Sequence, residues 1–333
     1  KRTNDLKFFG KGTSIVLASD SNTIRVFSGP FFKFLGEFFF GNSNFLTIQI
    51  RGSALIGINS KGQLVFGSLV SFEIIEWFQL HNTSVGVFSL NKEIDKKGII
   101  VSGKKKFVKF WTLEQKKFSK IKIKLISFNH SFSGKMNAVS ISSNAEIAAF
   151  ASNKKEIFIS NYPFRDSLKI LENQKKAAWA LDFSRGGKML VIGFGDGSIV
   201  LFSISCGLCL KKFEGDGYPI YTCFFNLENS HIFSTNSEGK LRIWKTDKGS
   251  CAVTIKSSGD SLWACDLSYT EDFLITGCGK GTIVILKDFS SKISRKKKSN
   301  FSFFIALQKN FDAKKSRKNF KKIVQKILEY RDP

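Results

Sequence analysis

The sequence predicts an all-β fold of seven repeated units, and three observations support this. The phrases GDGSIVLFS, SEGKLRIWK and GKGTIVILK, at residues 195–203, 237–245 and 279–287, recur 42 residues apart. Each joins a glycine-containing turn to a short strand of alternating apolar and polar or small residues. Weaker copies lie upstream, so the repeated strand is predicted to end near residues 27, 67, 111, 160, 202, 244 and 286. Cys209 and Cys251 keep the same interval.

A period in the low forties that is built from short strands is typical of the blades of a β-propeller. One blade cannot bury both of its faces, so each depends on its neighbours in a ring. We therefore expect residues 1–290 to form a seven-bladed β-propeller. The chain has 42% hydrophobic residues and only four prolines, which favours a large folded core. No apolar run is long enough to cross a bilayer, so no membrane contact is expected.

The residues after the predicted ring are expected to be of two kinds. Residues 291–299 form a basic linker, and residues 300–333 are the start of an α-helical C-terminal region that we expect to be truncated. Near the end of the chain, apolar residues at i, i+3, i+4, i+7 and i+8 spacing predict one face of an amphipathic helix. This predicted docking face consists of Phe320, Ile323, Val324, Ile327 and Leu328. It would pack on the ring, on further helical sequence or on a partner.

The chain is strongly basic, with 52 lysines and arginines, 27 acidic residues and a net charge of +25. Clustered cations favour nucleic-acid binding, because phosphates attract them without regard to sequence. The alternative is that a genome rich in A and T adds lysines without selection for a ligand. The candidate RNA phosphate contacts are Lys296, Lys297, Lys298, Lys314, Lys315, Lys318, Lys321 and Lys322.

The sequence contains no motif that predicts catalysis. Phosphate-binding loops, HExxH and GxSxG motifs are absent, and three histidines give little acid–base capacity near neutral pH. Cys206 and Cys209 have CxxC spacing, but there is no second pair, and we interpret the six cysteines as buried thiols. We predict no enzyme activity, no metal, no cofactor and no small-molecule substrate.

Aromatic residues at one repeated position are the candidate partner-binding site. Trp179, Tyr221 and Trp263 are spaced 42 residues apart, where the innermost strand of three blades should begin. We expect them to form an arc at one rim of the central channel, where exposed aromatics are good binding anchors. The alternative is that they pack between blades. Asp182, repeated loosely as Asp266, is either a structural turn group or part of the same face.

These repeats resemble the WD-repeat family, in which a strand ends on Trp-Asp. The pair survives in part as Trp111-Thr112 and Trp244-Lys245, and the aspartate of the preceding turn survives only as Asp196. In typical members, histidine, serine or threonine, aspartate and tryptophan form a hydrogen-bonded chain in each blade. Since no copy here has the full set, we expect this ring to depend more on apolar packing.

From residue 81 onward the resemblance narrows to the second propeller of the transducin-β-like-3 type of U3 snoRNP protein. The stretches that carry it include HNTSVGVFSL, GIIVSGKKKFVKFWTL, AAWALDFSRGGKMLVIGFGDGSIVLFSI, DSLWACDLSYTEDFLITGCGKGTIVILKDF and NFKKIVQKILEYRDP. The resemblance implies a scaffold of the small-subunit processome in the nucleus and nucleolus, acting in small-subunit rRNA processing. Its implied partners are sister tandem WD-repeat subunits, pre-rRNA and U3 small nucleolar RNA, bound directly or through partners.

A different assembly remains open as the alternative. A WD-repeat adaptor, such as a ubiquitin-ligase receptor, a coat subunit or a G-protein β-like signalling protein, would bind proteins without RNA. The orphan helix and the basic tail favour the processome.

Overall fold

The computed structural model describes most of the chain between residues 2 and 307. The described ranges are 2–10, 14–28, 33–81, 87–91, 98–104, 107–115, 121–126, 133–162, 167–170, 176–257, 260–287 and 303–307. All regular elements within these ranges are β-strands. No helix there has the length and apolar character needed to cross a membrane.

The strands follow one another at short intervals. They are β1 Thr3–Phe9, β2 Ser14–Ser19, β3 Thr23–Ser28, β4 Lys33–Phe39, β5 Phe45–Arg51, β6 Ala54–Asn59, β7 Gln63–Ser68, β8 Ile74–Gln79, β9 Val87–Leu90, β10 Gly98–Lys104, β11 Phe107–Gln115, β12 Ile121–Leu125, β13 Met136–Ile141, β14 Ile147–Ser152, β15 Ile157–Asn161, β16 Ser167–Ile170, β17 Ala178–Phe183, β18 Met189–Phe194, β19 Ile199–Ser203, β20 Cys209–Phe213, β21 Ile220–Phe225, β22 His231–Asn236, β23 Lys240–Lys245, β24 Cys251–Lys256, β25 Leu262–Leu267, β26 Phe273–Cys278, β27 Thr282–Lys287 and β28 Phe303–Leu307.

Groups of four consecutive strands form antiparallel sheets, from β1–β4 to β25–β28. We number these sheets as blades 1 to 7 in chain order. The first strand of each blade contacts the first strand of the next, and β25 contacts β1, so the blades close a ring around these strands. The predicted all-β propeller is therefore confirmed. The predicted strand ends all fall on the third strand of a blade.

The predicted number of blades within residues 1–290 needs correction. Within residues 1–290 the structure has six complete blades, not seven, because the last blade contains only β25, β26 and β27 there. Its outermost strand, β28, pairs with β27 from Thr282 opposite Leu307 to Leu286 opposite Phe303. Five residues of the predicted helical region, 303–307, thus form a strand. The predicted helix face from Phe320 to Leu328 lies outside the described residues.

The hydrophobic core lies between the blades. In blades 1, 2, 4, 5, 6 and 7 the second strand is buried at five of its six residues, because neighbouring blades cover both of its faces. One cluster joins Ala149 and Ile159 of blade 4 to Phe183 and Ile192 of blade 5. This packing agrees with the expectation that apolar contacts dominate. Part of the polar chain of the repeat is also present, since Trp244 Nε1 donates to Ser234 Oγ at 2.9 Å.

The two ends of the ring meet without sharing a sheet. Within the described ranges each sheet contains only strands that follow one another in sequence, so closure depends on contacts between blade 7 and blade 1. Leu6 of β1 packs in one cluster with Ile275 and Ala264 of blade 7. The backbone N–H of Phe8 donates to Asp266 Oδ2 at 2.8 Å. Side-chain packing and a few polar contacts therefore hold the ring shut.

Candidate interaction site at the mouth of the central channel

The ring encloses a central cavity of about 400 Å³ that is lined by the first strand of every blade. Its wall includes Asn4, Asp5 and Lys7 of β1 and residues 137–141 of β13, together with residues 179–182, 221–224 and 263–266. A propeller binds partners through its loops and its channel openings, so this cavity and its mouth are the candidate binding site.

A β-bulge recurs near the start of the innermost strand in six blades. In β17, for example, Ala178 pairs with Phe194 and Ala180 with Gly193, so Trp179 is left out of the register. A bulge re-aims the unpaired side chain and is common at the rims of closed sheets. The unpaired residues are Asn4, Leu46, Asn137, Trp179, Tyr221 and Trp263, and all of them line the cavity.

The three aromatic residues at this position form a continuous ladder, which we call the aromatic rim. Tyr221 and Trp263 are stacked, with ring centroids 4.2 Å apart and planes at 12°. Trp179 lies 6.3 Å from Tyr221 in a tilted arrangement. The side chain of Trp179 is 43% exposed, whereas partial burial raises the pKa of Tyr221. The three side chains thus form the predicted arc. They pack on one another and also line the channel.

A cation continues the ladder at its blade 1 end. The guanidinium carbon of Arg2 lies 4.9 Å from the centre of the Trp263 ring, within the range of a cation–π contact. Arg2 Nε also donates to Asn4 Oδ1 at 3.0 Å and lies 3.6 Å from Asp20 Oδ2. The aromatic rim thus already holds one guanidinium group.

Asparagine takes the place of the aromatic residue in blades 1 and 4. Asn4 Nδ2 donates to the carbonyl oxygen of Phe45 at 2.8 Å, and Asn137 Nδ2 donates to that of Ala178 at 3.1 Å. Both acceptors precede the bulged residue of the next blade, so the two bonds are equivalent. The three aromatic residues of blades 5 to 7 are therefore flanked by an asparagine on each side, Asn137 in blade 4 and Asn4 in blade 1. Leu46 is the bulged residue of blade 2.

Aspartates in the cavity wall connect neighbouring blades. Asp5 Oδ2 accepts hydrogen bonds from Thr47 Oγ1 at 2.7 Å and from the N–H of Ile48 at 2.9 Å. Asp182 Oδ2 accepts from the N–H of Phe225 at 3.2 Å, in the same way that Asp266 accepts from blade 1. Asp182 and Asp266 are therefore structural acceptors between blades and also part of the cavity wall.

Lys7 is the cation among these carboxylates. Its Nζ lies 3.7 Å from Asp5 Oδ1 and 3.8 Å from Asp266 Oδ1. Burial of the ammonium group acts to lower the pKa of Lys7, but the attraction of Asp5 and Asp266 outweighs it and the pKa is raised. Lys7 is therefore charged at neutral pH and screens part of the negative charge in the channel.

The structure brings together the predicted rim residues and leaves the predicted phosphate contacts untested. Lys296, Lys297 and Lys298, and the five lysines from Lys314 to Lys322, lie outside the described residues. The sequence interpretation missed Asn4, Leu46 and Asn137. A signal for them was present, because Asn4 precedes Leu46 by 42 residues and Asn137 precedes Trp179 by the same interval.

The expectation of six buried thiols is only half right. Cys223, Cys265 and Cys278 are buried, whereas Cys206, Cys209 and Cys251 are exposed. Cys209 and Cys251 lie at the starts of the outermost strands β20 and β24, which face solvent. Within the described ranges, no group of three or more histidine, cysteine or acidic side chains is placed to hold a metal ion.

One family model matches the chain. Residues 165–203 match the WD domain, G-beta repeat. This segment contains β17, β18 and β19, and therefore the strand that carries Trp179. The match supports WD-repeat sequence in blade 5, in agreement with the propeller fold of the whole ring.

Two curated proteins share partial similarity with the chain. The U3 small nucleolar RNA-associated protein 15 homolog of Gallus gallus is 26% identical over 122 residues, which cover 36% of this chain and 24% of that protein. The diphthine methyltransferase of Schizosaccharomyces pombe is 24% identical over 100 residues, which cover 28% of this chain and 31% of that protein. The chain thus matches less than a third of the length of either relative. What the comparisons show is a propeller with a WD-repeat segment.

Proposed function

We propose that the protein is a non-catalytic propeller scaffold of the small-subunit processome, with a role in small-subunit rRNA processing. In this proposal it resides in the nucleolus and binds sister tandem WD-repeat subunits, together with pre-rRNA and U3 small nucleolar RNA. The observation that carries the proposal is the partial similarity to a U3 small nucleolar RNA-associated protein. The transducin-β-like-3 type remains the finer prediction within this class.

The structure supports a binding role through the aromatic rim. Trp179 is partly exposed at the mouth of a cavity, and large aromatic side chains in such positions are typical anchors for protein partners. The net charge of +25 supports a second role near polyanions. Protein contacts at the rim and phosphate contacts from the basic tail suit a subunit of a ribonucleoprotein assembly.

A propeller adaptor of another assembly is the competing candidate. It is favoured by the fact that a second relative with an unrelated name matches at similar identity, so the similarity does not single out the processome. The two candidates differ in whether RNA accompanies the protein. The basic charge favours the processome, because an adaptor for protein partners gains nothing from phosphate attraction.

The first test is affinity purification of the tagged full-length protein from its own cells at low salt, followed by RNA sequencing and mass spectrometry. The proposal expects a U3-type small nucleolar RNA together with other tandem-propeller proteins. Recovery of ligase, coat or signalling subunits without RNA would establish the adaptor instead.

The second test measures the contribution of the tail to RNA affinity. Replacing Lys296, Lys297 and Lys298 with glutamine should weaken binding to a single-stranded pre-rRNA fragment. It should also reduce the slope of log affinity against log salt by about 2, if each lysine contacts one phosphate. A matched control replaces three exposed lysines of the ring, namely Lys33, Lys188 and Lys248. Equal slopes in both variants would show that the tail lysines reflect base composition alone.

A further inference from the structure

We propose that the Trp179 end of the aromatic rim binds an arginine side chain from a basic segment of a partner protein. This deepens the proposed function by naming the chemistry of one protein partner, and it rests on that function only for the premise that the ring binds proteins. The guanidinium would stack on the Trp179 indole, and the channel behind it would supply negative charge.

The charge of the cavity is opposite to that of the chain. Its charged lining residues in the described ranges are Asp5, Asp182, Asp266 and Lys7. Three carboxylates against one ammonium group leave a formal excess of negative charge, although the whole chain carries +25. A nucleic-acid phosphate would be repelled at this opening, whereas a cationic side chain would be attracted.

The aromatic rim already holds a guanidinium group at its other end. Arg2 stacks on Trp263 while its Nε donates to Asn4, the bulged residue of the next blade. A planar guanidinium suits this arrangement because it can stack on a ring and donate in its own plane at the same time. Arg2 therefore serves as an internal example of the ligand.

Trp179 is placed where an additional side chain could reach it. It ends the ladder on the side of blade 4, where the bulged residue is Asn137 and not another aromatic residue. Tyr221 covers the blade 6 side of Trp179, and 43% of the Trp179 side chain remains exposed. An incoming arginine would thus approach Trp179 from the side of the Asn137 blade, at the opposite end of the ladder from Arg2 and Asn4.

The test uses the purified full-length chain and a fluorescent peptide with one arginine among glycines and serines, with capped ends. Binding is followed by anisotropy, and the same peptide with lysine or with uncharged citrulline at that position provides the comparison. We expect the arginine peptide to bind best and the citrulline peptide to lose most of the affinity. Trp179→Ala should weaken arginine binding by about tenfold, and Trp179→Phe should retain most of it.

The matched control is Trp77→Ala, because Trp77 is also about half exposed, at 50%, but lies on the outermost strand of blade 2. This control should bind the arginine peptide like the wild type. The proposal is overturned by the absence of saturable peptide binding, by equal affinity in the wild type and Trp179→Ala, or by equal affinity of arginine and citrulline peptides.

A parallel titration with a labelled oligouridine separates this inference from the processome proposal. A tenfold loss of oligouridine binding in Trp179→Ala, with arginine binding unchanged, would overturn the inference in favour of base stacking. Failure of the cellular purification to recover U3-type RNA would count against the processome and leave the peptide result standing.

Discussion

Gly277 on β26 provides a direct test of how the ring closes. A Cβ atom at this position would lie 2.9 Å from Leu6 Cδ2, and would come closer still to Thr3 Cγ2. Both neighbours belong to β1 and are almost fully buried, at 1% and 0% exposure. Contacts below 3.0 Å force atoms to move, so Gly277→Ala must displace the side chains of β1 that pack on β26.

The expected cost follows from the overpacking of one methyl group at a filled interface, about 1–3 kcal/mol. A domain of this size has an unfolding entropy of about 0.6 kcal/mol per degree, so the unfolding midpoint should fall by about 2–5 °C. The measurement is thermal unfolding followed by tryptophan fluorescence, at one scan rate and one protein concentration, because large rings often unfold irreversibly.

Two further variants make this test specific. Gly186→Ala is the matched control, because its Cβ would meet no heavy atom within 4 Å and its backbone lies outside the left-handed region. Its midpoint should stay within about 1 °C of the wild type. Thr3→Ser removes the methyl group in the clash, so it should recover part of the loss in the Gly277→Ala background. A Gly277→Ala midpoint equal to that of Gly186→Ala would refute closure by packing of blade 1 on blade 7.

Three other predictions follow from the structure. A chain of residues 1–290 should be less stable and more prone to aggregate than one of residues 1–310, because it leaves the edge of β27 unpaired; equal solubility and equal midpoints would contradict the role of β28. Burial, followed by the charge of a nearby lysine, lowers the pKa of His231 below its usual 6.5. The unfolded chain therefore takes up the proton first, and stability should fall as the pH drops below about 6.5. His231→Gln should flatten this fall in pH-dependent urea titrations, and an unchanged profile would exclude His231 as its source. Iodoacetamide should label exposed Cys206, whose pKa is lowered by hydrogen bonds from serine hydroxyls, well before Cys223, whose pKa is raised by burial; peptide mapping that finds equal rates in the folded protein would contradict this.

The ring could be predicted from the repeat interval, because residues one repeat apart lie at equivalent positions in successive blades of a propeller. Equivalent residues such as Tyr221 and Trp263 must occupy equivalent places in adjacent blades, so their stacking follows once the period is known. Asn4 and Asn137 also occupy equivalent places, because each side chain donates a hydrogen bond to a backbone carbonyl oxygen of the next blade. Periodicity therefore carried information about the site as well as about the fold.

The last strand could not be predicted, because periodicity fails there. In the other blades the fourth strand follows the third within a few residues, whereas 15 residues separate Lys287 at the end of β27 from Phe303 at the start of β28. The short apolar run of β28 also fits a helix, since a segment of five residues carries no clear period. Cys209 and Cys251 were expected to be buried for a related reason, because a repeated position reports equivalence between blades and not burial.

The separation of charge gives the strongest physical reason to assign different partners to different parts of the chain. Lysines raise the net charge to +25, but the cavity wall in the described ranges has three aspartates and one lysine. Each of these aspartates accepts a backbone N–H of the next blade, so the acidic lining helps to join three pairs of neighbouring blades. Compositional drift toward lysine can therefore alter the outer surface freely, whereas a change at Asp5, Asp182 or Asp266 would leave a backbone donor unsatisfied. An acidic mouth with an aromatic rim is thus the part of the surface that is set by the fold, and it is the part at which selective binding should be sought first.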